Sequence, residues 1–230
     1  MEKYIYLFGC ILLLSIWIFI FLLRKDLRKK MIEISVFGGV FGPIAEIWYF
    51  ADYWRPPSLL GIAKVSLEDF LFGFATVGIC ASLYYFIFNK KQKNKTRSIS
   101  IFEFLFNPRL ILFVAAIIFL MIILNNLLKI NSIFASSFIF LISSFYIMLK
   151  RKDLIKVSLT TSLFLPILIL PIYHLILNLI ITPDFFEKYW LLNNTVWDIK
   201  VLGNIPVTEL IWYFAAGAFF SILYEFVIDL

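Results

Sequence analysis

Seven apolar runs constrain this sequence of 230 residues more than any other feature. A transmembrane helix needs about 20 predominantly apolar residues, because the hydrocarbon core of a bilayer is ~30 Å thick. Runs of that length occupy residues 4–23, 31–50, 67–88, 108–128, 131–149, 157–181 and 205–227. No small-residue cleavage pattern follows the first run, so we expect it to remain as a span. With 62% hydrophobic residues, the sequence predicts an all-α integral membrane protein with about seven transmembrane helices.

Lysine and arginine are concentrated in alternate connections between these runs. Most of the 21 basic residues follow the first, third and fifth runs, within residues 24–30, 90–109 and 150–156. The positive-inside rule places such connections in the cytoplasm. We therefore predict a multi-pass protein of the cell membrane with its N-terminus outside and its C-terminus in the cytoplasm. The net charge of +6 then follows from topology and from attraction to membrane lipid, and no nucleic-acid partner is expected.

A nearly repeated string indicates that the chain contains two copies of one unit. "RKDLRKK" at 24–30 and "RKDLIKV" at 151–157 each follow one apolar run and precede two more. This pattern predicts a first repeat over residues 1–88, a basic loop with a linker helix over 89–130, and a second repeat over 131–230. Because the linker helix adds one crossing, the two three-helix repeats are parallel. A functional site is then expected between the halves.

Acidic side chains begin corresponding runs in the two copies. Glu68 and Asp69 begin the third run, and Glu209 begins the seventh. Ionised carboxylates are costly in hydrocarbon, so such residues are usually paired, protonated or functional. Helix capping is the alternative interpretation. Ser66 and Asp69 fit a capping box, and Glu209 lies in the favourable first turn of its helix.

The surroundings of these acids carry a family resemblance. Each copy has a tryptophan-bearing loop, a short hydrophobic lead-in, the acids and then an aromatic run: "WYFADYWRPPSLLGIAKVSLEDFLFGF" at 48–74 and "NNTVWDIKVLGNIPVTELIWYF" at 193–214. This pattern resembles the lycopene cyclase domain family, the non-flavin carotenoid cyclases of the heterodimeric and archaeal–fungal type, in a tandem-repeat form. The family's hallmark is Pro-x-Glu-Glu or Pro-x-Glu-Asp. Here Ser66 replaces the proline of the first copy and Thr208 the first acid of the second.

The resemblance implies an isomerase that cyclises an acyclic carotene such as lycopene, with no net redox change, no cofactor and no metal. A proton would add to the terminal double bond, the cation would close a ring, and a neighbouring proton would leave. The resemblance assigns this acid–base chemistry to Glu68, Asp69 and Glu209. Desolvation and a neighbouring carboxylate both favour a protonated acid. Aromatic faces stabilise cations, and Phe72 and Tyr213 lie at helical spacing from the acids.

Other polar and aromatic residues are candidates for substrate contact. Glu46 lies inside the second run, where an isolated carboxylate is a functional candidate by default, with structural hydrogen bonding as the alternative. His174 occupies the corresponding place in the second copy and is expected to be a packing residue. Trp54 and Trp197 fall in the outer loops, where they either anchor the helices at the interface or form the rim of a substrate site.

Small residues within the runs have structural interpretations. Gly38 and Gly42, in "FGGVFG", lack the spacing of a nucleotide loop and are expected to allow close helix packing. Cys10 and Cys80 lie in apolar segments, where cysteine behaves as a small hydrophobe. Neither a disulfide nor a metal site is expected from them.

Two other functions remain open at this level. A noncatalytic or partner-dependent relative of the cyclases would keep the fold without independent activity, and a small membrane transporter would also show repeats and intramembrane acids. A retinal protein does not fit, because the seventh run has no lysine. The partners implied by the cyclase interpretation are a lipophilic polyene substrate, membrane lipid, and a second cyclase subunit or a second copy of the chain.

Overall fold

A computed structural model describes residues 2–91, 100–181 and 184–228 of the chain, and most of these residues are helical. The α-helices are α1 (Ile5–Leu23), α2 (Arg28–Asp52), α3 (Leu67–Ile87), α4 (Ile101–Leu105), α5 (Pro108–Met121), α6 (Ser132–Lys150), α7 (Ile155–His174), α8 (Asp184–Tyr189) and α9 (Val207–Ile228). Turns of 3-10 helix precede α1, α2 and α7 at Glu2–Tyr4, Lys25–Leu27 and Lys152–Leu154. Turns of π-helix extend α5 through Ile122–Leu127 and α7 through Leu175–Ile180.

The described residues contain seven helices long and apolar enough to cross a membrane: α1, α2, α3, α5, α6, α7 and α9, counted with their 3-10 and π turns. The prediction of an all-α membrane protein is therefore confirmed. Short elements in the connections were not predicted. These are α4, α8 and an antiparallel pair formed by β1 (Lys200–Val201) and β2 (Ile205–Pro206). Such short elements leave no 20-residue hydropathy signal.

Helices α3 and α9 form the centre of the bundle. Helix α3 packs against α1, α2 and α9, whereas α9 packs against α3, α6 and α7. Their middle turns consist of buried small and aliphatic residues, among them Ala75 and Ile79 on α3 and Ala215 and Ile222 on α9. Helix α5 is the least buried of the seven. Each half of the molecule thus places its last helix at the seam between the halves.

Glycines allow α2 and α3 to pack at very short range. A Cβ atom at Gly42 would overlap the carbonyl oxygen of Asp69, and one at Gly73 would overlap that of Gly38. Only residues without a side chain permit this approach. The packing role predicted for Gly38 and Gly42 is confirmed, and the contact holds the C-terminal half of α2 alongside the first turns of α3.

The two copies of the repeated string fold into the same turn. The Arg24 guanidinium donates from Nε and Nη2 to the two carboxylate oxygens of Asp26 at 2.9 and 2.7 Å. Arg151 donates in the same way to Asp153 at 2.9 and 2.8 Å. The two arginines share an unusual backbone conformation, with φ and ψ of −113° and 76° for Arg24 and −131° and 78° for Arg151. This match supports the division into repeats, which stays a prediction.

The bundle has two ends, a basic end and a loop end. The basic end holds the connections after α1 and α3, which are in contact because Arg24 also donates to the carbonyl oxygen of Lys90 at 2.6 Å. The loop end holds the connection between α2 and α3 and the connection between α7 and α9. Lys93, Lys95 and Arg97 of the predicted basic loop lie outside the described residues. The assignment of the basic end to the cytoplasm stays a prediction.

Candidate functional site

A cavity of about 240 Å³ lies between the two halves, toward the loop end. Its wall takes residues from α1, α2, α3, α5, α6, α7 and α9, and most of this wall is apolar or aromatic. Three carboxyl side chains line it: Glu46 on α2, Asp69 on α3 and Glu209 on α9. Asp69 of the third run and Glu209 of the seventh run thus line one cavity, together with Glu46.

Glu209 is held by two phenols, one from each half of the molecule. Tyr53 Oη donates to Oε1 of Glu209 at 2.6 Å, and Tyr173 Oη donates to Oε2. Tyr53 lies just beyond α2, where burial, together with the charge of Glu209, raises the pKa of its phenol well above the usual value. Tyr53 therefore stays protonated and acts as a donor at neutral pH. Two donors on two oxygens match the acceptor-only pattern of an ionised carboxylate.

Asp69 both takes part in the N-terminal cap of α3 and lines the cavity. Its Oδ2 accepts from the backbone N–H of Ser66 at 2.6 Å and from Ser66 Oγ at 2.9 Å, while Ser66 Oγ accepts from the Asp69 N–H at 3.3 Å. The capping-box interpretation is confirmed. Oδ1 of Asp69 accepts from Tyr6 Oη at 2.8 Å, which ties α1 to α3. Both oxygens of Asp69 are thus occupied while the side chain still faces the cavity.

Glu46 differs from the other two cavity acids. Its side chain is buried, with 5% of the residue exposed, and its Oε1 accepts no hydrogen bond from the described residues. It interacts electrostatically with both Asp69 and Glu209. The alternative predicted for Glu46 was a role in structural hydrogen bonding, and Oε1 takes no part in such bonding with the described residues.

Glu68 points to a different part of the molecule from its neighbour. Its Oε1 accepts from the backbone N–H of Leu59 at 2.7 Å, and its carbonyl oxygen accepts from the Cys10 thiol at 3.4 Å. Asp69 lines the cavity, whereas Glu68 is not among the lining residues. The structure therefore gives the Glu68 carboxylate a contact that fastens the connection between α2 and α3.

Some of the aromatic residues predicted to contact the substrate line the cavity, and one does not. Trp54, Phe72 and Tyr213 all line the cavity. The ring of Phe72 lies 6.3 Å, centre to centre, from the rings of Tyr213 and Tyr6, and Tyr6 contacts Trp54 at 5.2 Å. Three helices and a loop thus contribute one continuous aromatic wall, the type of surface that stabilises a cation.

Trp197 and His174 lie apart from the cavity. Trp197 is 51% exposed and packs on Phe134 with ring centres 4.7 Å apart. His174 is exposed, with Nδ1 2.8 Å from Nδ2 of Asn178. The structure does not bring either residue to the site. The position in the second half that corresponds to Glu46 is therefore on the outside of the bundle.

Several lining residues were not predicted from the sequence. They are Tyr6, Tyr49, Tyr53, Tyr173, Trp190 and Trp212. A signal existed for Tyr49 and Tyr53, which follow Glu46 by three and seven residues and so share its helix face. No signal existed for Tyr6, because its partner Asp69 is 63 positions away in sequence.

Nothing in the described part of the chain forms a metal site. No group of three or more His, Cys, Asp or Glu side chains is placed to hold a metal ion among those residues. Cys10 and Cys80 are buried free thiols. The cavity offers carboxyls, phenols and aromatic faces, together with the Cys10 thiol and the hydroxyls of Thr76 and Ser136.

The fold and the site define a class: a seven-span helical membrane protein whose two halves bring carboxyl groups to an apolar, aromatic-walled cavity. Residues 131–227 match the family model for lycopene cyclase, so this part of the chain is similar to a lycopene cyclase domain and the resemblance found in the sequence is supported. The match runs from the residue before α6 almost to the end of α9 and includes Tyr173, Glu209 and Tyr213. Neither the curated proteins nor the solved structures gave a match. The domain supports a function of the carotenoid cyclase type.

Proposed function

We propose that this protein is a carotenoid cyclase that closes a ring at an acyclic end of lycopene or a similar polyene inside the membrane. The observation that carries the proposal is the convergence of Glu46, Asp69 and Glu209 on one apolar cavity with aromatic walls. Carboxyl groups without a cationic partner are costly in such a place. Their presence, beside the family match, supports acid–base chemistry on an apolar substrate.

The reaction needs an acid and a base. Protonation of the terminal double bond forms one C–H bond and leaves a carbocation. The π electrons of a second double bond attack this cation and form the ring C–C bond, and loss of a ring proton restores a double bond. Atoms and electrons balance without an oxidant or a reductant, so the reaction is an isomerisation. General acid and base groups contribute typically 10²–10⁴-fold each to such a step.

The dimensions of the cavity support binding of one end group. About 240 Å³ is below the ~300–1,000 Å³ typical of pockets that enclose a drug-sized ligand. Ile44 on α2 both lines the cavity and is 36% exposed, which supports an opening toward lipid beside α2. In this proposal one end of the polyene enters the cavity and the rest of the chain stays in the bilayer.

The proposal extends to orientation and partners. We place the basic end in the cytoplasm, so that the cavity lies toward the outer face of the cell membrane. The substrate is a lipophilic polyene that arrives from the lipid phase. A second cyclase subunit, or a second copy of this chain, is the protein partner to test when the chain is inactive by itself.

Expression in a lycopene-producing bacterial host tests the proposal. We expect a monocyclic or bicyclic carotene of unchanged mass, measured by chromatography and mass spectrometry. With protein purified into lipid nanodiscs in D₂O, each ring formed should carry one solvent-derived deuterium. Verified membrane expression without conversion, with and without the other carotenoid enzymes of the source, would contradict the proposal. Carotene movement between vesicles without ring formation would favour the transporter.

A further inference from the structure

The three carboxyl groups of the cavity are not equivalent in their hydrogen bonds. Asp69 accepts donors on both oxygens, and so does Glu209. Glu46 faces the same cavity, but its Oε1 accepts nothing from the described residues. Two of the acids are therefore fixed as acceptors, and one has an oxygen available to a bound substrate.

This difference separates the protonation states of the three groups. Hydrogen-bond donors stabilise an ionised carboxylate, whereas an ionised carboxylate that is buried and lacks donors is strongly disfavoured. Glu46 also interacts with the charges of Asp69 and Glu209, and like charges close together cannot all remain ionised cheaply. Glu46 is thus the acid that keeps its proton, and a neutral carboxyl group is a hydrogen donor.

We propose that Glu46 is the catalytic residue that donates the initiating proton, with Asp69 or Glu209 accepting the proton lost at the end. This inference rests on the proposed function. The O–H bond of Glu46 breaks as the new C–H bond forms at the terminal double bond. The ring C–H bond then breaks toward an ionised carboxylate of the wall. That proton leaves to water, and Glu46 takes up a proton from water, which restores the starting state. No other reactant is needed.

The surroundings of Glu46 fit a donor held in a fixed position. The glycine contact of Gly42 with the backbone of Asp69 fixes α2 against α3 at the level of Glu46. Tyr49 lies nearly one turn beyond Glu46 and is itself held by the Trp212 indole, whose Nε1 donates to Tyr49 Oη at 2.8 Å. The donor is thus attached to a helix whose position is set by both halves of the molecule.

A matched pair of variants on α2 tests the inference. Glu46→Gln removes the acid and keeps the shape, so we expect turnover of lycopene to fall at least about 100-fold. Glu33→Gln is the control, because Glu33 is equally buried on the same helix, accepts from Tyr224 and is not among the cavity-lining residues. It should keep turnover within a few-fold of the parent. Thermal unfolding in one detergent checks that both variants are folded.

Two further measurements distinguish proton donation from a structural role. Lycopene binding, measured by retention on immobilised nanodiscs, should be nearly unchanged in Glu46→Gln while turnover is lost. Glu46→Asp keeps a carboxyl group one methylene further back and should recover part of the turnover that Glu46→Gln loses. A pure volume or packing role would not produce this order.

The outcomes separate this inference from the proposed function. An active parent with an equally active, folded Glu46→Gln variant would overturn the role of Glu46 and leave the cyclase proposal standing. Loss of lycopene binding in Glu46→Gln would also overturn it, because the residue would then position the substrate. A parent that cyclises nothing would overturn the proposed function, and this inference with it.

Discussion

The two ends of the central α3–α9 pair bury polar groups in opposite ways. At the basic end, the Lys30 ammonium forms an ion pair with Glu225, and Tyr85 Oη donates to the same Glu225 oxygen at 3.0 Å. Tyr224 donates to Glu33, whose other oxygen lies 3.7 Å from the Lys29 ammonium. At the loop end, the described contacts of Glu46, Asp69 and Glu209 include tyrosines and backbone but no cation.

The buried carboxyl groups at the two ends differ in their neighbours. At the basic end each carboxylate has a lysine beside it, and none of these groups lines the large cavity. Because Lys30 belongs to the first half and Glu225 to the second, their pair connects the halves. At the loop end the carboxyl groups face open space. Both sets of carboxyl groups are therefore buried, but only the set at the loop end faces a cavity and lacks a cation among its described contacts.

Apart from Glu46→Gln, the largest effect is expected at the loop end from Glu209→Gln. Loss of this carboxylate removes a negative charge that faces the developing cation, so turnover should fall by about 10²–10⁴-fold. Single-turnover assays in nanodiscs measure the rate, with Glu33→Gln as the control at the other end. Equal losses in the two variants would mean that any buried glutamate affects the rate, and the comparison of the two ends would fail.

At the basic end, Lys30→Met should affect stability instead of rate. Removing one partner of a buried ion pair leaves an uncompensated charge and costs about 3–5 kcal/mol. Turnover per folded molecule should stay near that of the parent. Thermal unfolding measures the loss, and the double variant Lys30→Met with Glu225→Leu should recover much of it, because replacing both charges removes the unpaired one. A rate defect larger than the stability defect would assign a chemical role to this end.

A smaller effect is expected from Tyr173→Phe. The substitution removes one of the two phenol donors on Glu209, and a hydrogen bond to a charged group contributes about 1.5–3 kcal/mol. Turnover should therefore fall roughly tenfold or more, less than for Glu209→Gln. Tyr146→Phe is the control, since Tyr146 is 47% exposed on α6 and is not a lining residue. Similar rates in the two variants would show that the phenols only pack around Glu209.

The smallest effect is expected from Glu68→Gln. The family resemblance assigns catalysis to Glu68, whereas the structure places its carboxylate on the backbone of Leu59. The glutamine oxygen can accept the same hydrogen bond, so we expect a loss far smaller than that of Glu209→Gln. The ratio of the two single-turnover rates decides between the assignments. A loss in Glu68→Gln as large as that in Glu209→Gln would return the donor role to Glu68.

The features that could be predicted from the sequence are those whose physical signal is local. The seven spans could be predicted because each apolar run carries its own signal, and the cap at Ser66 because its partner is three residues away. The choice between Glu68 and Asp69 could not be predicted. Neighbouring positions on a helix point about 100° apart, and only the packing of other helices decides which direction is the cavity. The Tyr6 contact depends on tertiary structure in the same way.

The position of the site could be predicted in outline, because parallel repeats favour a site between the halves. The full set of residues that line the site could not be predicted. Glu46 was a candidate as an isolated carboxylate, but its free oxygen is a property of its neighbours. Trp54 and Trp197 gave the same signal, a tryptophan in an outer loop, yet only Trp54 lines the cavity. Two tryptophans with the same sequence pattern thus have different environments in the fold.

The location of the cavity on the seam has a stoichiometric consequence. The halves share a turn, and under the predicted repeat division the exposed His174 of the second half corresponds to Glu46 of the first. The cavity takes carboxyl groups from both halves, so in the proposed reaction the two repeats share this reaction centre instead of each forming its own. A symmetrical polyene has two reactive ends. In the proposed reaction, the two ends of such a molecule react one after the other. After the first ring forms, the polyene dissociates from the protein or reorients, and its second end then enters the cavity.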